Sequence, residues 1–315
     1  MHIGIMSDMA VGVHPSGADV WWNPERFAKG ATVGAPPDMF NQQGQNWSQP
    51  PLSPINLETT GYEAYRNMVH GMFARAGAVR IDHILGLFRL WWIPENRSAM
   101  DGAYVYYDSD IMLGVLAIEA SRAGDVVVGE DLGVVPDHVA DSLSSHGILG
   151  CAVEWFEQCD GVFRTPSQWR PYALASVNTH DLPPAAGYLE YEHVKIRERL
   201  GLLTGPAEEF EASAKAEQDA MLAMLVEQGY LDADFAEHRE DHEADIVDAL
   251  YHALKGSPCK LLAAVGEKRA QNQPGTNNEY PNWRIPLADA KGNVVPLETL
   301  FDTPGAQRFA QIFNS

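Results

Sequence analysis

Three carboxylates stand at or just past the ends of short apolar runs, each beside other polar residues. Arg80-Ile81-Asp82-His83 closes the run 77–81, Glu130-Asp131 closes 125–129, and Asn178-Thr179-His180-Asp181 closes 173–177. Asp8 closes a fourth run at the start of the chain. Side chains alternate along a strand, so Arg80 and Asp82 share one side. Carboxylates arriving from separate strands, with Arg80 and His180 beside them, suit glycoside chemistry. That chemistry needs one carboxylate as nucleophile or base, one protonated carboxyl as acid, and groups that hold the sugar near its oxocarbenium shape. A guanidinium beside Asp82 favours its ionised, nucleophilic form. Crowding pushes one carboxyl towards its protonated form, and Glu130 is the candidate for acid and then base. The same residues also have plainer uses. Arg80–Asp82 fits a structural ion pair, and His83 or His180 an ordinary hydrogen-bonded histidine. A strand-end carboxylate such as Asp8 or Asp131 suits a helix cap or a partner for loop amides.

Tryptophans add to the carbohydrate reading, because the C–H faces of sugars stack on indoles. Trp47, in the stretch Gly44-Gln45-Asn46-Trp47, is the better candidate platform. Trp91 and Trp92 lie in the apolar run 87–93 and read as core.

The elements that must position these groups are short. Six apolar runs (3–6, 77–81, 125–129, 151–156, 173–177 and 259–265) are continuous, not alternating, as strands buried on both faces require. Helical patterns at 62–76, 111–123 and 136–145 lie around the second and third runs. The repetition predicts an α/β fold with a parallel sheet, of the (β/α)8 barrel type, in which strand C-termini converge on the active face. Barrel sequence fills 1–187. Residues 188–255 read as a helical insertion before the last strand: Met221, Leu222, Leu225 and Val226 form its apolar stripe, and Gly229 ends that helix. Residues 256–315 carry the last strand, a groove-lining loop and a C-terminal helix. The stretch 30–54 is rich in Gly, Pro, Asn and Gln without period, and reads as a long functional loop.

With 22 Lys+Arg against 43 Asp+Glu among 315 residues, the net charge is −21. Such a surface repels nucleic-acid phosphates and anionic lipid. Three cysteines are too few for a disulfide framework or a four-ligand zinc site. The opening residues lack a signal-peptide pattern, and no apolar run spans a bilayer, so the default is a soluble cytoplasmic protein.

At these residues the chain resembles the amylomaltase, or disproportionating-enzyme, family of 4-α-glucanotransferases. The resemblance rests on stretches 7–13, 33–40 and 44–47, then on Arg80-Ile81-Asp82-His83, Leu90-Trp91-Trp92-Ile93-Pro94 and Val128-Gly129-Glu130-Asp131-Leu132-Gly133. It continues through Asn178-Thr179-His180-Asp181-Leu182-Pro183, Asn272-Gln273-Pro274-Gly275-Thr276 and 279–284. It implies Asp82 as nucleophile, Glu130 as acid/base and Asp181 as the third carboxylate, which stabilises the distorted sugar. It further implies that Asp8, Arg80 and His180 hold the donor sugar. Asp38 and Trp47 would lie on the loop covering the acceptor side, and Asn272 on a later loop lining the groove. Maltooligosaccharides, α-1,4-glucans and glucose would be the donors and acceptors, with no metal or organic cofactor. Pro184 stands where a Thr is common in the family, and Ser48 where a Gly usually follows the loop tryptophan.

The first run resembles the family's third barrel strand, so six of eight strands are expected and the barrel is expected to be incomplete. The same carboxylates also suit an α-glucan hydrolase of this barrel group, and an inactive glucan-binding fragment is a further alternative. A phosphate-handling barrel enzyme is disfavoured by the absence of a glycine-rich phosphate loop.

Overall fold

The computed structural model describes residues 3–37, 43–133, 135–263, 269–274, 276, 278–289 and 292–314. The chain forms two compact units, Met1–Cys151 and Ala152–Ser315.

In the first unit, β1 (Met6–Met9) precedes an antiparallel pair, β2 (Ala31–Ala35) and β3 (Gln45–Gln49). Then come β4 (Ala78–Ile81), β5 (Arg89–Pro94), β6 (Ala103–Tyr106) and β7 (Val126–Gly129). The strands β1-β4-β7 form an open parallel sheet, and β3-β2-β5-β6 form an antiparallel one. Val79, Ile81 and Val127 of the parallel sheet are buried in one cluster with Val69 and Phe73, Leu113 and Leu116, and Val139 and Leu143. These pairs come from the helices Glu63–Phe73, Ser109–Ala123 and His138–Ser145. The middle helix has clear local reasons for its bounds. Asp108 caps it by accepting the Ile111 N–H at 3.1 Å, and Gly124 ends it with φ +76°.

The stretch 30–54, expected to be a structureless loop, holds β2 and β3 instead. Its strands are short, β2 of mostly small residues and β3 polar apart from Trp47, so they leave no alternating apolar pattern in the sequence. Gly34 shows what the pairing needs: a Cβ there would stand 1.9 Å from the carbonyl oxygen of Gln45 across the ladder. The register also shifts between Val33 and Gly34, as at a β-bulge. The first strand is likewise displaced from the expected run 3–6 to Met6–Met9, which puts Asp8 on the strand itself.

The second unit begins within β8 (Gly150–Val153) and goes on with a short hairpin of β9 (Gln158–Cys159) and β10 (Val162–Phe163), then β11 (Ala173–Ser176) and β12 (Leu261–Ala263). Its parallel sheet has the order β12-β11-β8 and is also open. Five of the six runs read as parallel strands hold one, and the first meets β1 only at Met6. The architecture is α/β with partial, open parallel sheets, as an incomplete (β/α)8 glycosidase-type barrel has. Helices follow one another from Ala185–Leu189 to Glu243–Lys255. The longest, Ala207–Glu227, buries Met221, Leu222 and Leu225 as its stripe predicts, and Met224 as well. Gly229 follows with φ +76°. No helix among the described residues is long and apolar enough to cross a membrane.

Candidate active site

In the first unit the ladder itself brings the charged groups together. β1 and β4 pair with Asp8 opposite Arg80, and β4 and β7 pair with Ile81 opposite Gly129. Asp82 and Glu130 are the next residue on each strand. Their backbone N–H groups continue the ladder, Asp82 to the Met9 carbonyl and Glu130 to the Ile81 carbonyl, both at 2.9 Å.

Arg80 is the hub. Its Nη1 donates to Asp8 Oδ1 and Oδ2 at 2.8 and 2.9 Å, and to Asp82 Oδ1 at 2.8 Å. Burial works against the charged guanidinium, but Asp8 and Asp82, by charge and hydrogen bond, raise its pKa above the ordinary arginine value. A fixed cation thus orients two carboxylates, as the alternation of side chains along β4 anticipated. Asp8 is an ion-pair partner here, not a helix cap.

Glu130 is held differently. Its Oε2 accepts the backbone N–H of His83 at 2.9 Å, and its Oε1 that of Leu132 at 2.7 Å. Burial raises its pKa above the ordinary glutamate value, while these two amides and the Arg80 charge pull the other way. The Asp82 charge adds to the upward push. A carboxyl biased towards its protonated form next to a paired carboxylate is the division of labour that acid and nucleophile require. The two backbone donors had no signal in residue type. His83 itself takes the left-handed region at φ +45°. Burial also lowers the pKa of the His83 imidazole. Asp131 is spent structurally, accepting the Cys151 N–H at 2.8 Å.

Trp47 lies on β3, half buried, with its ring edge-on to His83 at 5.5 Å between centroids. Ser48 follows it at φ +59°, a conformation that glycine adopts without strain. Trp91 and Trp92 are half buried on β5. Asp38 lies outside the described residues.

In the second unit, β11 leads into Asn178-Thr179-His180-Asp181. Asp181 Oδ1 accepts from Asn272 Nδ2 at 2.6 Å, and its Oδ2 lies 3.0 Å from His180 Nε2. The His180 ring stands 5.0 Å from that of Trp283, which is largely exposed. The structure therefore brings together Asp8, Arg80, Asp82 and Glu130 in one unit, and His180, Asp181 and Asn272 in the other. Sequence reasoning counted Trp283 among the tryptophans suited to a carbohydrate groove but gave it no individual role. It also gave no role to Glu154, at the end of β8, which is fully buried with both carboxyl oxygens unpartnered among the described residues.

Comparison with known proteins finds relatives of the whole described chain. The 4-alpha-glucanotransferase family of glycoside hydrolases matches residues 1–291. The 4-alpha-glucanotransferase of Mycobacterium tuberculosis is 50% identical over 322 aligned positions, covering 99% of this chain and 44% of the relative. That of Haemophilus influenzae is 33% identical, covering 98% and 44%. Among solved structures, an amylomaltase from Corynebacterium glutamicum superposes with a TM-score of 0.93 at 42% identity, over 98% of this chain and 46% of the other. An amylomaltase from Streptococcus agalactiae in complex with acarbose shares the fold, with a TM-score of 0.66 at 19% identity. The chain spans less than half the length of the curated relatives named here.

Proposed function

As the chain belongs to the 4-alpha-glucanotransferase family, we propose that its site transfers α-1,4-glucan segments to the 4-hydroxyl of an acceptor glucan or glucose by retaining double displacement. Asp82 is the nucleophile and Glu130 the acid/base. Asp181 is the third carboxylate, which stabilises the flattened sugar. Asp8, Arg80 and His180 hold the donor sugar, and Asn272 lines the groove. Asp38 and Trp47 serve the acceptor side. Maltooligosaccharides, α-1,4-glucans and glucose are the donors and acceptors.

The observation that carries this reading is the contrast between Asp82 and Glu130. Asp82 accepts a guanidinium hydrogen bond, and Glu130 is pushed by burial towards its protonated form. In the first step Glu130 protonates the glycosidic oxygen while Asp82 attacks the anomeric carbon. The bond to the departing sugar breaks and a covalent glycosyl–Asp82 ester forms. In the second step the Glu130 carboxylate takes the proton of the acceptor hydroxyl, whose oxygen displaces Asp82 and restores the original anomeric configuration. Water competes with the acceptor for the ester, so exclusion of water decides between transfer and hydrolysis. The half-buried Trp47 beside His83 favours transfer.

Maltotriose tests the proposal. Transfer gives glucose together with longer oligosaccharides. Products that are all shorter than the substrate would replace the transferase reading with hydrolysis, and no products would leave a glucan-binding chain, measurable by calorimetric titration with the same sugar.

A further inference from the structure

Asp181 is two residues from a buried chain of contacts that crosses the second unit. Trp155, just past β8 and 4% exposed, donates its Nε1–H to the Pro183 carbonyl at 3.2 Å. Its indole stacks on Tyr188, with 4.2 Å between ring centroids and 21° between planes. Tyr188 also stacks on His193 at 5.4 Å. Its hydroxyl donates to Glu217 Oε1 at 2.6 Å, and the fully buried Gln218 donates its side-chain amide to the Tyr188 carbonyl at 2.7 Å. Gln218 in turn accepts from Arg239 at 3.4 Å, and Arg239 pairs with Asp219. Glu217, Gln218 and Asp219 all belong to the helix Ala207–Glu227.

The loop needs such a support. Pro183 and Pro184 carry no N–H, so this stretch cannot donate two of the bonds that would otherwise fasten it. What holds it is acceptance: the Pro183 carbonyl takes the indole N–H, and the Pro184 carbonyl takes the Tyr188 N–H at 2.7 Å. A carboxylate that acts on a developing positive charge loses effect steeply when it is misplaced by about 1 Å. Its supports therefore matter although they touch no sugar.

We propose that Trp155 and Tyr188 are positioning residues for Asp181, and that the helix Ala207–Glu227 braces that carboxylate through their stack. This rests on the reading of Asp181 as the carboxylate that stabilises the flattened sugar.

The test is calorimetric titration of the full chain with two ligands. One is acarbose, whose terminal unsaturated ring is flattened, and the other is maltotriose, whose rings are relaxed. Thermal unfolding is followed in parallel. Asp181→Asn should weaken acarbose far more than maltotriose. Trp155→Phe keeps a stacking ring and loses the N–H. It should weaken acarbose about tenfold and maltotriose less than about twofold, with little change in unfolding temperature. Tyr188→Phe, which loses only the hydroxyl, should show the same selectivity at about threefold, and it carries the test alone if Trp155→Phe does not fold. Glu217→Gln keeps an acceptor for Tyr188 and should bind both ligands nearly as the parent does.

If Asp181→Asn discriminates between the ligands but Trp155→Phe and Tyr188→Phe weaken both equally, or neither, the bracing role is overturned and the reading of Asp181 stands. If Asp181→Asn itself does not discriminate, that reading falls and the bracing role with it.

Discussion

Asp82 and Asp181 are about equally open to solvent, 37% and 43% for their side chains, yet different things hold them. Asp82 continues the ladder of β4 and accepts from Arg80, a guanidinium only 16% exposed that also grips Asp8. Asp181 sits on a loop and accepts from Asn272, a neutral amide on another loop, with His180 as its immediate neighbour. The first arrangement fixes charge against charge on a hydrogen-bonded sheet. The second fixes a carboxylate by side chains that themselves need support. Exposure does not distinguish them, but the rigidity of the holder does, and substitutions should show it.

The sharpest test of the first arrangement is Asp82→Asn. It keeps the shape and one acceptor oxygen for Arg80 but removes the nucleophilic charge. Turnover of maltotriose should fall by about 10⁴-fold or more while thermal unfolding is little changed. Near-parent turnover would remove Asp82 as the nucleophile.

Glu130→Gln comes next. An amide in the place of an acid cannot protonate a sugar leaving group, so turnover of natural glucans should fall by about 10²- to 10⁴-fold. Fluoride leaves without a proton, so a glucosyl fluoride donor should still form the glycosyl–enzyme. Equal loss with both donors would refute the acid/base assignment. In the parent protein, kcat/KM should decline on the alkaline side at a pH above the ordinary glutamate range, because burial raises the Glu130 pKa and the acid must be protonated to act.

Asn272→Ala probes the second arrangement. Removing one hydrogen bond to a charged group costs about 1.5 kcal/mol, or about tenfold in kcat. The loss should be smaller than for Asp82→Asn because no charge is removed. A loss as large as that of Asp82→Asn would mean that the loop-borne carboxylate depends on this one amide.

The two arrangements were unequally legible in sequence. Apolar, β-branched runs located five of the six parallel strands and met the sixth, β1, only at Met6, and the period of two placed Arg80 with Asp82, because strand geometry is local. The antiparallel pair β2–β3 was not legible: apart from Val33 and Trp47 its residues are small or polar, and a side chain at Gly34 would meet the Gln45 carbonyl across the ladder. The amides that hold Glu130 were equally invisible, since every residue but proline has an N–H and only the fold chooses which ones point inward. The partnership of Asp181 with Asn272 joins residues 91 apart, and only the likeness to a family placed both in one site.

Glu154 gives the comparison a third member: a strand-end carboxyl with no hydrogen-bond partner among the described residues. It is fully buried, and burial, with help from the Glu157 charge, pushes its pKa up to about 8. An acid whose folded pKa exceeds its usual value of 4.5 holds an extra proton in the fold. Its contribution to stability is complete below about pH 4.5 and is lost as the pH rises towards 8. Glu154→Gln keeps the size and removes the titration. At pH 8 it should stabilise the chain by on the order of 3 kcal/mol relative to the parent, and near pH 4.5 by little. Chemical denaturation at the two pH values measures the difference. Equal effects at both would mean that Glu154 takes up no extra proton on folding, so that a strand end by itself suffices to hold a charge. The expected divergence would show the reverse, that a strand end by itself does not hold a buried charge, and Glu154 lacks the guanidinium hydrogen bond that Asp82 accepts.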